Sequence, residues 1–168
     1  MNNRTKKIAI LGILASFAMV LSYLELLLPP ISVALPGIKM GLPNIVIIFT
    51  LYRLGARHAI TVSLVRILCV ALLFGNAMTL AYSLAGAALS LALMILLKHF
   101  DLISPIGVSV VGGIMHNAGQ ILVAILVLRT VEIGYYMIIL TVSGTVAGLL
   151  VGLAGYYLIK LLPKIPSR

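Results

Sequence analysis

The sequence predicts an all-α membrane protein, a six-transmembrane-helix bundle with both termini cytoplasmic, and three observations carry that expectation. Of the 168 residues, 62% are hydrophobic and only 9% are charged, where a soluble domain carries about 25% charged residues. The apolar residues gather into six runs separated by Pro, Gly, Asn and Ser. The basic residues collect in alternate connections between those runs. A mean hydropathy of +1.25 leaves too few polar side chains to cover a soluble surface. High apolar content excludes disorder, and the single cysteine excludes a disulfide scaffold. Cys69 sits within an apolar run and reads as a small buried hydrophobe.

The first run, 8–28, follows Arg4, Lys6 and Lys7. It is longer than a signal-peptide apolar region and no small-residue cleavage site follows, so it reads as a retained span. Pro29-Pro30 ends it. The second run, 42–54, begins near Pro43 and is too short to cross alone, because a core of about 30 Å takes about 20 helical residues. The preceding 31–40 segment is apolar apart from Lys39, with Pro36-Gly37 in its middle. It is expected to dip into the outer leaflet or fold over the bundle, where irregular backbone is tolerated only against protein or a wet cavity. Gly55 precedes the third run, 59–75; Gly75-Asn76 leads into the fourth, 77–97; Ser104-Pro105 opens the fifth, 106–128; and Gly134 precedes the sixth, 135–159. The connections are short, so residues 1–168 are expected to form a single integral membrane domain.

Orientation follows from where the cations fall. With the N-terminus inside, that side collects Arg4, Lys6, Lys7, Arg53, Arg57, Lys98, Lys160, Lys164 and Arg168, while the outside has Lys39 and Arg129. The net charge of +9 is thereby explained by topology, and nucleic acid is not an expected partner. Tyr135, Tyr136, Tyr156 and Tyr157 fall at the two ends of the sixth run, as an interfacial belt requires.

The remaining cation, Arg66, lies inside the third run. A charge at that depth costs about 3 kcal/mol by insertion scales, so it faces an interior partner or a cavity. Two partners suit a guanidinium, an ion pair with Glu25 or an anionic solute held in a bidentate fork. The fifth run places Ser109, Gly113, His116 and Gln120 along one helical face, with Asn117 beside them. Glu25, Asn44, Thr79, Tyr82 and Ser83 also lie in the outer half. The inner half offers mostly lone Ser and Thr hydroxyls, which satisfy themselves on their own helix. The expected pocket therefore opens outward, with Arg66, His116, Asn117 and Gln120 as its floor and Asn44, Lys39 and Tyr82 above. His116 reads either as an interhelical hydrogen bonder or as a ligand contact; no second His, Cys or carboxylate is placed to make it a metal ligand.

Small residues mark helix contacts. Gly144, Gly148 and Gly152 form a double GxxxG stripe, with weaker versions at Gly12xxxSer16 and Ala88xxxAla92. The stripe on the sixth run serves either packing within the bundle or docking of a second membrane protein.

An enzyme acting alone is not expected. Three acidic residues, Glu25, Asp101 and Glu132, provide neither an aspartate-rich magnesium site nor a carboxylate pair. No Walker A pattern is present, and Ser143 lacks the context of a hydrolytic serine.

The segments Pro36-Gly37-Ile38-Lys39-Met40-Gly41-Leu42-Pro43-Asn44, Arg53-Leu54-Gly55, Arg66 with Gly75, Tyr82-Ser83-Leu84-Ala85-Gly86 and Gly112-Gly113-Ile114-Met115-His116-Asn117-Ala118-Gly119-Gln120 together resemble the Gx transporter family. That family is also described as heptaprenyl diphosphate synthase component I, and it is similar to the substrate-binding S components of energy-coupling factor transporters. The resemblance implies six helices, an outward pocket under the first external loop, and an energising partner, a coupling subunit with ATPases, supplied by other chains. Small residues on the first run would face that coupling subunit, and Gly12xxxSer16 is the nearest match here. The implied function is uptake of a small anionic or amphipathic solute across a bacterial cell membrane, with no intrinsic cofactor. The alternative is a membrane subunit of a flavin-based extracellular electron-transfer or prenylquinone assembly of Gram-positive bacteria, with a flavin or isoprenoid as its ligand and an electron-transfer partner.

Overall fold

A computed structural model describes residues 3–27 and 41–162. The expectations for the 31–40 segment, Lys39 included, lie outside the described residues. The described residues contain six α-helices and no strand: α1 (Asn3–Leu27), α2 (Asn44–Leu54), α3 (Ala56–Phe74), α4 (Ala77–His99), α5 (Pro105–Leu128) and α6 (Tyr136–Leu161). Five of them are long and apolar enough to cross a membrane, and α2 is the shorter exception. The surface agrees with that reading, since large side chains such as Leu72 (85% exposed) and Leu126 (76% exposed) point out of the bundle.

Local chemistry sets the helix ends. Asn76 caps α4 by accepting from the Thr79 N–H at 2.9 Å, and Ser104 caps α5 by accepting from the Gly107 N–H, with Pro105 in the first turn. α2 and α3 meet at Gly55, whose φ of +95° strains any residue with a side chain. α5 ends at Arg129, in the left-handed region, and a 3-10 turn over Val131–Tyr135 leads into α6. Gly134 thus lies inside that turn rather than forming the break by itself.

α5 is the hub, packed most extensively against α4 and α6. α2 lies at the centre of the core. Its residues Val46, Ile47, Ile48, Phe49, Thr50 and Leu51 are all buried, as a helix apolar on every side must be. Eleven residues make about 16 Å of helix, half of a bilayer core. α2 occupies the half of the bundle near Gly55: Ile48 packs on Gly155 of α6, and Gly41, just before α2, approaches Val151. Two cations fix its far end. The Arg53 guanidinium donates to the Ile159 and Leu162 carbonyls at the end of α6, and Lys98 Nζ donates to the Leu51 carbonyl while sitting over the Tyr52 ring at 5.1 Å. Cations on terminal carbonyls complement the negative end of each helix. The start of α2 is thereby held partway through the bundle.

Hydroxyls inside the bundle mostly satisfy themselves, as Thr50 does on Val46 O, Thr141 on Met137 O and Thr145 on Thr141 O.

Candidate functional site

Arg66 stands eight residues before the end of α3 and points inward between α1 and α3. Its Nη1 donates to Ser22 Oγ of α1 over 3.4 Å, a long bond, and Ser22 Oγ itself donates to Ala18 O at 2.9 Å. Arg66 Nε is buried with no hydrogen-bond partner. A guanidinium has five N–H donors, so one weak bond leaves most of its capacity unused. The Glu25 carboxylate acts on this cation through space, and it also accepts from the Gly41 N–H. Of the two partners weighed for Arg66, Glu25 thus acts on it through space, while among the described residues the guanidinium donates to Ser22. Gly41 adopts φ +71°, which turns its N–H toward α1 at the approach to α2.

Arg66 lines a cavity of about 200 Å³ to which all six helices contribute. Near Gly75 its walls are Leu26, Phe74, Gly75 and Thr79, and at the other extreme they are Met94, Ser109 and Val151. Asn44, in the first turn of α2, lines it as well. The N-terminus of this half-length helix thus meets the cavity partway through the bundle, and its dipole end is positive. Its first N–H groups donate to the Gly41, Leu42 and Pro43 carbonyls, so α2 offers an anion its dipole and not free donors.

The face read from the fifth run converges on this space, with Ser109, Gly113, His116 and Gln120 all lining it, and Asn117 with them. Gln120 Nε2 and His116 Nε2 lie 3.3 Å apart one turn along α5. The His116 ring lies over Gly86 of α4, where an added Cβ would stand 2.8 Å from its Cε1. Asn117 has a structural bond too, donating from Nδ2 to the Leu140 carbonyl of α6 at 2.8 Å. Glu25 and Asn44 line the cavity, whereas Tyr82 does not. Its neighbours Thr79 and Ser83 take that face, one helical turn apart, and Ser90 and Met94 continue it.

Two features escape a reading of spacing alone. The cavity runs further from Gly75 along α4 than the sequence suggested, because Ser90 borders it instead of disappearing into its own helix; Ser90 Oγ points at Met94 Sδ, 3.5 Å away. The glycines of α5 also do as much as those of α6. A Cβ on Gly119 would meet the Ala85 carbonyl at 2.5 Å, and one on Gly113 the Gly144 carbonyl at 2.5 Å. Gly144, Gly148 and Gly152 are buried against α5, where a Cβ on Gly148 would stand 2.6 Å from Val110 Cα. The weaker small-residue pairs are different: Gly12, Ser16, Ala88 and Ala92 are all exposed, and nothing lies within 4 Å of a Cβ built on Gly12.

A family model described as Heptaprenyl diphosphate synthase component I matches residues 14–158. The chain belongs to that family. Every cavity-lining residue from Ser22 to Val151 falls within the region that defines heptaprenyl diphosphate synthase component I. No curated protein and no solved structure matches the chain. Of the three acidic residues in this member of the family, Glu25 lines the cavity, while Asp101 and Glu132 are exposed in the connections on either side of α5. Among the described residues no three His, Cys, Asp or Glu side chains come together.

Proposed function

We propose that this chain is a membrane-embedded solute-binding subunit, similar in role to the S components of energy-coupling factor transporters, that takes up an anionic or amphipathic solute. One observation carries the reading: the Arg66 guanidinium, whose Nε is buried without a hydrogen-bond partner and whose bond to Ser22 is long, faces a cavity shared by all six helices. A buried cation is expensive at this depth, and a carboxylate or phosphate is the partner that uses its planar fork. The positive end of α2 favours the same charge. Both termini lie in the cytoplasm of a bacterial cell, so the Gly75 end faces outward and the cavity loads from outside. The chain has no nucleotide motif, so energy comes from partner subunits, and chemistry on the solute is not part of its role.

The family description favours a second reading, a membrane subunit of a prenyl diphosphate, prenylquinone or electron-transfer assembly that uses the same cavity for an isoprenoid or flavin. A native mass spectrum of gently purified protein, with its co-purifying chains identified, separates the two. A small anionic adduct with ATPase and coupling subunits supports transport. An adduct-free spectrum contradicts both readings, and an isoprenoid or flavin with a synthase or flavoprotein partner supports the second.

A further inference from the structure

We propose that the cavity is shaped for a single-chain amphiphile, with a compact oxyanion at Arg66 and a slender apolar tail running toward Met94. The proposal rests on the reading of Arg66 above and adds the form of the molecule that Arg66 holds. The head end is defined by chemistry. Arg66 Nε is buried without a partner, the first turn of α2 presents Asn44 to the same space, and Gln120 closes it from α5. These groups suit a phosphate or a carboxylate, which accepts several N–H bonds at once.

Beyond that level the character of the walls changes. No charged side chain lines the cavity between His116 and Met94, and the polar atoms there are the Ser90 and Ser109 hydroxyls. Backbone forms much of the lining. A Cβ on Gly112 would stand 2.6 Å from Met94 Sδ, and one on Gly113 2.5 Å from the Gly144 carbonyl. Helices in contact at this distance cannot separate to admit a ring system or a two-chain lipid without losing their packing. A narrow, weakly polar arm remains. Along α5 the whole cavity extends from Gln120 to Ser109, about 16 Å of helix, which accommodates an anionic head together with an extended chain of about ten carbons.

The test uses the full chain in phosphatidylcholine nanodiscs, with adducts measured by native mass spectrometry. The probes are decyl phosphate and decanoate, their four-carbon counterparts, and decanol. The parent is expected to bind at least one ten-carbon anion, at one copy per chain and at least tenfold more tightly than its four-carbon counterpart and than decanol. Ala147→Phe fills the arm from α6 and Ser90→Leu fills it from α4; either variant that keeps the parent's elution profile lowers the ten-carbon preference at least tenfold. Arg66→Gln weakens long and short anions alike. Equal binding of both chain lengths, or an unchanged preference in the filled variants, overturns the tail while leaving the reading of Arg66 standing. Decanol binding as tightly as the anions, adducts insensitive to Arg66→Gln, or no anionic adduct on the parent overturns that reading and this proposal together. Displacement of the probe by phosphatidylglycerol added to the nanodisc would make the occupant a membrane lipid and overturn the single-chain assignment.

Discussion

Arg66 illustrates how far a single residue carries an argument. Its position inside an apolar run showed that something must compensate it, but the run could not say whether that partner is Glu25 or a solute. In the structure the Glu25 carboxylate accepts from the Gly41 N–H. Glu25 nevertheless remains close enough to act on the guanidinium, so its charge opposes an anion arriving at Arg66. Glu25→Gln keeps an oxygen to accept the Gly41 N–H and removes that opposition. Anion affinity is therefore expected to rise about threefold, roughly 0.6 kcal/mol, as measured by titration of the purified variant. A fall in affinity or a collapse of the thermal midpoint would instead identify Glu25 as the counter-ion on which Arg66 depends. Tyr82 shows the limit of the sequence at this scale. One residue rotates the helix by about 100°, enough to place Ser83 on the cavity and Tyr82 away from it.

At the scale of elements, the lengths of the apolar runs and their capping residues revealed most of the fold. The second run, 42–54, is legible as too short to cross, and α2 is an eleven-residue helix fixed by Arg53 and Lys98 at one end and meeting the cavity at the other. The other helices end within a few residues of their apolar runs, except that α1 starts earlier, at Asn3, because no breaker precedes Arg4 and Lys6. Helix pairing was less legible. Small residues repeat every four positions on faces that touch a helix and on faces that do not, so spacing alone equated Gly144, Gly148 and Gly152 with Gly12 and Ser16. Their surroundings differ: a Cβ on Gly148 would stand 2.6 Å from Val110 Cα, and one on Gly12 would meet nothing within 4 Å. Gly148→Leu is expected to destabilise the bundle by about 2 kcal/mol or more through overpacking, read as a clear drop in thermal midpoint. Gly12→Leu should leave the midpoint of the isolated protein unchanged. Equal midpoints for the two variants would contradict the packing of α5 on α6.

For the whole molecule, the apolar surface and the charge asymmetry belong to one account. Five long apolar helices require lipid around them, and the proposed orientation rests on nine cations in one set of connections against two in the other. Cysteines introduced singly at Asn3, Asn76 and Ser167 in a Cys69→Ser background test this with an impermeant thiol reagent on intact cells. Position 76 should be labelled and the terminal positions should not; the reverse pattern would invert the bundle and turn the cavity toward the cytoplasm. The depth of the cavity was not legible in advance, because it depends on how α4, α5 and α6 close on one another's backbones, and a pattern read within one helix does not report on that closure.

In the function proposed for this chain, Arg66 serves a solute and not the fold. The most direct measurement compares Arg66→Lys with the parent for ligand retained in native mass spectra and for thermal midpoint in the same preparations. An ammonium keeps the charge but not the planar fork. An unchanged midpoint is expected with at least about a tenfold loss of ligand affinity, about 1.4 kcal/mol. Ligand retained equally by both proteins, or a midpoint that falls together with the binding, would make Arg66 a structural cation and contradict the assignment of the site.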